Sequence, residues 1–480
     1  MTLSQFFARR FGHATAQVQA PPPSEFERPD ESQASSQQRQ LELRAKLQEL
    51  QKGDYHYMVD VVGACNLRCP SCAVGNYPQT EASGLMKFDT YQAILVKIAA
   101  EHPGEEVFVH LYNWGEPVLH RQLAKIVDLT KSMGFRCGIS CNMNVFPDIA
   151  AVARSAPAYI RISLSGFFNS VYQRNHRRGD INLVKANMHL LRHFIDKVDS
   201  DTIVQVGFHV YRSNFPDDFF RMKELCNELD FIFAPTLAVI SPVEKAIRAV
   251  DGIKLDSDSE MAQSDLVVSL KRRTEVLGAV RDRYPDCQFQ KLFTTINFDG
   301  SVSLCCATYE KPQTIAEDFL KVSRQELQER KQGHRFCAEC QSRNLDMIYT
   351  GVEPQLVDQE AVGVLGSKYD KFLQEWNTPL EIAVWWEGRR LTIQEACDLA
   401  SEQQRLGIPS KAKELYEIVS DAAPKHAEAK FQLGALTESA GDIAAALGFY
   451  QRAAELYPGF QVYASARDRL LRTIEDGLER

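Results

Sequence analysis

Six short apolar runs, each followed by an amphipathic helical pattern or a charged stretch, constrain this chain more than any other feature. The runs are YMVDVVG from Tyr57, EVFVHLY, FRCGISC, YIRISLS, TIVQVGFHV and FIFAPTLAVI, which ends at Ile240. Each has the length of a strand and is rich in apolar residues. Helical patterns such as 88–100 and 119–133 lie between them. Alternation of this kind builds parallel βα units, and such folds gather their functional residues at the carboxyl ends of the strands. An α/β domain is therefore predicted over residues 56–245.

At 480 residues the chain exceeds one ordinary domain, so several are expected, each with its own core. Hydrophobic residues make up 44% and charged residues 25%, which excludes a mostly disordered or fibrous chain. A net charge of -8 and a pI near 5.8 speak against a phosphate-binding surface over the whole molecule, so nucleic acid is not an expected partner. No stretch approaches the roughly 20 apolar residues that cross a bilayer, and the amino end lacks an apolar core before a cleavage signal. The chain is read as cytoplasmic, with no membrane partner. Its opening, MTLSQFFARRFGHATAQ, is weakly amphipathic and basic and is read as a frayed terminus rather than a presequence. Residues 18–40 have the composition of a disordered tether. A short polar helix is predicted over 38–52, and the two together make up residues 1–55.

Directly after the first strand, VDVVGACNLRCPSCAVGNY sets Cys65, Cys69 and Cys72 in a C-x3-C-x2-C arrangement. The chain has twelve cysteines and no export signal, a combination that favours metal ligands or reduced thiols over disulfides. Three thiolates hold three irons of a cubane and leave the fourth open to a cofactor or substrate. Zinc is the competing reading, and it wants a fourth ligand that this loop does not obviously supply.

The three-cysteine loop resembles the defining motif of the radical S-adenosylmethionine (SAM) superfamily, and the resemblance runs from about Tyr57 to Ile240 as a partial (β/α)6 TIM-like barrel. It implies a 4Fe–4S cluster on Cys65, Cys69 and Cys72 whose open iron chelates the amino and carboxylate groups of SAM. It also implies reductive cleavage of SAM to a 5′-deoxyadenosyl radical that abstracts a substrate hydrogen, and an electron donor such as flavodoxin or ferredoxin. Ser71 stands where family members often carry an aromatic residue. The segment from Asn113 to Pro117 is similar to the Gly-Gly-Glu-Pro motif, which binds the SAM ammonium through backbone carbonyls and a charge-assisted carboxylate contact. Gly115 and Glu116 take those places here, and Trp114, replacing the first glycine, must turn its side chain away from the cofactor. The run from Cys141 to Asn144 is similar to the family's Thr-Asn-Gly turn near the SAM ribose, with Asn142 in the matching place. YIRISLSGF resembles the strand whose serine bonds the SAM carboxylate, here Ser163. VYQRNHRRGD resembles the basic segment that neutralises that carboxylate, and Arg174, His176 and Arg177 all remain open for the role. His209 is read as a core histidine in preference to a substrate contact in the lumen.

Residues 246–345 hold a charged helical stretch and then Cys287, Gly300, Cys305, Cys337 and Cys340, spaced C-x12-G-x4-C with a later C-x2-C. INFDGSVSLCC predicts a β-hairpin turning at Asp299 and Gly300. The pattern resembles the SPASM and twitch modules that follow radical SAM barrels. Because QSRNLDMIY adds no further cysteines, the shorter twitch form is implied, a separate small α+β module with one auxiliary 4Fe–4S cluster. Four cysteine ligands close such a cluster, which suits electron transfer rather than substrate ligation. Cys306 is an alternative ligand to Cys305, and a structural zinc is the other reading of the same residues. Cys137, Cys226 and Cys397 are expected as small buried hydrophobes.

Residues 346–392 are poorly periodic and are read as a linker. Over 393–480 a 34-residue period appears, the period of tetratricopeptide repeats. Leu433, Gly434, Ala446, Tyr450, Ala453 and Pro458 occupy characteristic places in the second copy, while Ala412, Tyr416 and Pro424 stand one period earlier. Thr392 with Glu395 predicts a capping box, and 463–478 a capping helix that ends an all-α domain. The resemblance implies an oxidoreductase-type enzyme acting on a small molecule, its auxiliary cluster accepting an electron. Modification of a peptide or protein docked on the repeats is a second reading. A non-catalytic scaffold working through its repeats is a third.

Overall fold

The computed structural model describes residues 31–76, 83–377, 383–387, 389–458 and 460–478. The opening segment and the first part of the expected tether lie outside the described residues.

All six predicted strands form: β1 Tyr55–Val59, β2 Val107–His110, β3 Arg136–Cys141, β4 Tyr159–Leu164, β5 Ile203–Val210 and β6 Ile232–Leu237. They pair in parallel in the order β6-β5-β4-β3-β2-β1. The helices between them cover the outer face because their apolar residues recur on one side. Ile181–Lys197, for example, buries Ile181, Val184, Met188, Leu191 and Ile195, a spacing of three and four residues. Asp180 caps that helix by accepting the Asn182 N–H at 2.9 Å, as a good N-cap residue does.

The amino-terminal helix spans Glu31–Leu50, so residues 31–37 are helical rather than tether; their Glu, Gln and Ala are strong helix formers. It lays Leu43, Leu47 and Leu50 against Phe108, Tyr159, Ile203 and Ile232. Those four stand at or near the amino ends of their strands, so the helix closes the floor of the barrel and leaves the other end for chemistry.

Two expectations are corrected. The cysteine-bearing segment is not a separate module: its strand β7, Phe293–Ile296, pairs in parallel with β1, from His56 with Phe293 to Val59 with Ile296. The short strands β8 Val302–Ser303 and β9 Thr314–Ala316 then continue the sheet antiparallel, making nine strands in all. An open six-stranded barrel leaves the outer edge of β1 with unpaired backbone groups, and β7 satisfies them. Ile296, Val302, Ala316, Phe319 and Val322 join the same hydrophobic core as the barrel. The hairpin itself turns where predicted, with Gly300 at φ +88°, a conformation glycine adopts without penalty.

The second correction concerns 346–392, which is no linker. Helices Pro354–Leu365 and Ser367–Asn377 pack Val357, Ala361, Val362, Tyr369, Phe372 and Leu373 into the barrel core. Their period is hidden in the sequence by the break at Gly366, whose φ is +78°. A hairpin of β10 Ala383–Trp386 and β11 Arg389–Thr392 follows.

The carboxyl-terminal region is helical. Ile393–Arg405 with Pro409–Ala422, and Ala427–Ser439 with Ile443–Leu456, form two hairpins whose members begin 34 residues apart, and Gln461–Leu478 closes the series. The capping box forms: Glu395 N–H donates to Thr392 Oγ1 at 3.2 Å and Thr392 N–H to Glu395 Oε2 at 2.6 Å. Gln374 Nε2 donates to the Tyr463 hydroxyl at 3.2 Å, tying this region to the helices on the barrel. Among the described residues no helix is long and apolar enough to cross a membrane.

Candidate active site

The loop after β1 brings Cys65, Cys69 and Cys72 to one wall of a cavity of about 320 Å³ at the carboxyl ends of the barrel strands. None of the three is in a disulfide. Burial, followed by the nearby Glu116 carboxyl, pushes the Cys65 thiol up to about 12. Cys69 and Cys72 are raised by burial too. Bare thiols here stay protonated at neutral pH, and a bound metal is what would turn them into thiolates.

The turn after β2 is held from below by Asp60, a residue that sequence reasoning did not single out. Its carboxylate accepts the backbone N–H of Trp114 at 3.0 Å and of Gly115 at 3.2 Å. Burial pushes the Asp60 carboxyl up to about 7. Glycine is required at 115, where a Cβ would stand 1.5 Å from the Val62 carbonyl oxygen. Trp114 lines the cavity, and its side chain is tied to the segment after β8: its Nε1 donates to the Thr308 carbonyl at 2.9 Å and its ring meets Tyr309 edge-on.

Glu116 is 3% exposed and lines the cavity. Its Oε2 accepts the Asn142 backbone N–H at 2.8 Å, whereas its Oε1 is buried with no partner. Burial pushes this carboxyl up to about 8. Asn142 also donates through Nδ2 to Asn66 Oδ1 at 2.9 Å, which fixes the turn after β3 against the cysteine loop.

Of the three basic candidates, only His176 reaches the cavity. Its Nδ1 lies 3.5 Å from Cys69 Sγ, its ring stacks on Tyr172 at 4.6 Å, and its Nε2 is buried without a partner. Burial lowers this imidazole to about 3, so it is neutral. Arg174 is corrected: the helix Asn169–Asn175 buries Tyr172 and Asn175 and turns Arg174 to solvent. Arg177 is engaged by Asp258 at 2.8 Å and does not line the cavity.

Ser163 lines the cavity from β4. His209, read from the sequence as a core histidine, lines it too, because alternation along β5 sends it to the lumen while Phe208 and Val210 pack outward. Tyr211 was missed altogether. Its hydroxyl lies 3.4 Å from Ser71 Oγ, so an aromatic residue reaches this wall from the end of β5 where the cysteine loop has only a serine; the signal was an aromatic directly after a strand.

Residues 59–209 match the family model of the Radical SAM superfamily.

This segment is a radical SAM domain, and the superfamily implies a 4Fe–4S cluster and SAM. No curated protein matches the chain. Among solved structures it is similar to native anSMEcpe with bound AdoMet, at 13% identity and TM-score 0.38 over 58% of this chain and 81% of that one. It is also similar to Streptococcus suis SuiB bound to precursor peptide SuiA, at 12% identity and TM-score 0.42 over 71% and 77%. A third is BtrN in complex with AdoMet and 2-DOIA, at 11% identity and TM-score 0.35 over 60% and 91%. No substrate follows from likenesses at this level.

The residues of the radical SAM domain fit both groups that the superfamily implies. Three free cysteines on one wall can supply a thiolate to each of three irons. Glu116 Oε1, the orphaned carboxylate oxygen of the same cavity, suits an ammonium, since a buried acceptor without a partner is costly until a donor arrives.

Beyond the radical SAM domain, Cys287, Cys305, Cys337 and Cys340 line a second, small and mostly apolar cavity, and Cys306 is not among its lining residues. Cys287 precedes β7, Cys305 follows β8, and Cys337 and Cys340 lie on the helix Arg335–Gln341. All four are free of disulfides. Burial pushes Cys305 up to about 12 and Cys337 up to about 11. Among the described residues no three metal-ligating side chains converge on the position of a single ion; the irons of a cubane take one cysteine each and need no such point.

Proposed function

We propose that this protein is a radical SAM enzyme that holds its 4Fe–4S cluster on Cys65, Cys69 and Cys72 and binds the SAM ammonium through Glu116. The observation that carries the reading is the unpartnered Glu116 Oε1 in the same cavity as three free cysteines. When bound, the cluster supplies the electron that cleaves SAM to methionine and a 5′-deoxyadenosyl radical. The chain's own residues bind and orient. The Asn142 N–H holds one oxygen of Glu116 and leaves the other for the cofactor. Gly115 lets the turn lie against Val62, and Asp60 keeps it there. Ser163 and the neutral His176 offer uncharged hydrogen-bonding groups to the SAM carboxylate in place of a guanidinium. His209, Tyr211 and Tyr112, the last standing two residues beyond the end of β2 and lining the same cavity, are proposed to contact the substrate.

Cys287, Cys305, Cys337 and Cys340 are proposed to hold an auxiliary 4Fe–4S cluster of the twitch type. A cluster held there would supply an acceptor for an electron from the substrate, and the net outcome would be oxidation or bond formation on a small molecule. Flavodoxin or ferredoxin is the proposed donor to the first cluster. The carboxyl-terminal hairpins are read as tetratricopeptide repeats, supported by their 34-residue spacing and by Gly434, where a Cβ would lie 2.7 Å from the Tyr450 ring. Modification of a polypeptide docked on those repeats is the second reading. The bond from Gln374 to Tyr463 favours it, because it would hold a docked chain at a fixed place relative to the barrel.

The test is anaerobic reconstitution with iron and sulfide, followed by incubation with dithionite and SAM and an assay for 5′-deoxyadenosine. Formation of 5′-deoxyadenosine is expected. Its absence from protein carrying the full complement of iron overturns the reading.

A further inference from the structure

Lys331, the last residue of the helix Arg324–Lys331, is completely buried. Burying an ammonium is expensive unless an opposite charge answers it, and no Asp or Glu among the described residues forms an ion pair with it. Its Nζ donates instead to two neutral acceptors, the Phe293 carbonyl and, at 3.3 Å, Thr294 Oγ1. Its own carbonyl accepts the Gln290 side-chain Nε2–H at 2.7 Å, and Gln290 lines the second cysteine cavity together with Cys287, Cys305, Cys337 and Cys340, so the buried ammonium belongs to the wall of that site. A neutral thiol does not answer a buried positive charge, whereas a thiolate held by metal does.

We propose that Lys331 is the fixed counter-charge of the second cysteine site, retained to stabilise an anionic thiolate-ligated cluster there and to set its reduction potential. The inference rests on the reading of Cys287, Cys305, Cys337 and Cys340 as auxiliary-cluster ligands. Reduction adds one negative charge to that site. A positive charge fixed nearby in a poorly screened interior favours the reduced form, so it raises the potential. The bonds to Phe293 and Thr294 and the negative end of the helix dipole keep the ammonium in place without neutralising it. The same bonds clip the helix to β7, a purely structural role that would need a donor but not a charge.

That distinction sets the experiment. Wild-type full-length protein is reconstituted and analysed for iron and zinc, which tests the auxiliary-cluster reading by itself: about eight irons and no zinc support it. About four irons with one zinc remove that reading, and this inference with it. The midpoints of both clusters are then followed by electron paramagnetic resonance during titration with dithionite, in wild type, Lys331→Gln and Lys331→Arg. Glutamine keeps a donor for Phe293 and Thr294 but loses the charge; arginine keeps the charge. The second midpoint is expected to move to more negative potential in Lys331→Gln and to stay near wild type in Lys331→Arg, with the first unmoved in both. A fully loaded Lys331→Gln with an unchanged second midpoint overturns the proposal. If Lys331→Gln loses the second cluster while Lys331→Arg retains it, the requirement for charge stands. Loss of the cluster in both variants makes Lys331 a packing residue and overturns it as well.

Discussion

The backbone N–H of Asn142 donates to Glu116 Oε2 at 2.8 Å, and this one bond decides which carboxylate oxygen is left for a ligand. Replacing Glu116 by Gln keeps the shape and removes the negative charge that the carboxyl would carry opposite an ammonium. SAM affinity should fall by roughly 10- to 100-fold, the equivalent of about 1.5–3 kcal/mol for a hydrogen bond to a charged group. The visible absorption of the cluster should not change, since no ligand to iron is touched. Equilibrium binding checks this, and an unaltered Kd would mean that the ammonium is bound elsewhere.

Trp114 joins the turn that carries Glu116 to the segment after β8 through its bond to Thr308. Trp114→Phe retains most of the buried ring and loses that bond, worth about 1 kcal/mol. SAM binding should weaken about fivefold with both cysteine sites still loaded with iron. A variant that binds SAM as wild type does would show that the turn is fixed by Asp60 alone.

Asp60 should leave a signature in the dependence of stability on pH. Burial raises its folded-state carboxyl from 3.8 to about 7, so between these values the folded chain holds a proton that the unfolded chain has released. Stability from this group is fully present below about pH 4 and is lost as the pH rises through 7. Urea denaturation of cluster-free wild type and Asp60→Asn should show the wild type losing up to about 4 kcal/mol relative to the variant from pH 4 to 7. A constant difference across that range would mean that Asp60 is ionised throughout.

The two cysteine sets should separate cleanly. Alanine at Cys65, Cys69 or Cys72 should abolish 5′-deoxyadenosine formation, because each is proposed to supply one of only three protein ligands. Replacing Cys337 and Cys340 together should lower iron from about eight to about four per chain. It should also leave SAM cleavage intact while product formation fails. Iron analysis and a 5′-deoxyadenosine assay on the same samples decide both points.

The barrel was legible in the sequence because strands buried on both faces spell themselves out as apolar runs, and its motifs because they sit where those runs end. Cys65, Glu116 and Asn142 were found by that route and do meet in one cavity. Pairing between β1 and β7 was not legible, since it joins residues more than 230 positions apart and leaves no periodic trace. The helices on either side of Gly366 were missed because the glycine interrupts their phase. Arg174 and His176 stand two residues apart in one basic run, and only the helix that carries Arg174 decides that it faces water while the histidine faces the cavity. Asp60 acts by accepting backbone N–H groups, a role that no side-chain motif records.

The parallel pairing of β7 with β1 bears on how such a chain can change over time. One set of cysteines follows the carboxyl end of β1, and the other begins with Cys287, at the head of the short helix Gln288–Leu292 that leads into β7. The two sets are therefore placed relative to one another by the pairing of these strands, and not by the more than 200 residues of chain that run between them. Loops in that stretch can lengthen or shorten at little cost without altering that placement. A slip of β7 by one residue, by contrast, would reverse which of its side chains face the lumen. The sheet is the ruler, and the intervening chain is slack that evolution is free to spend.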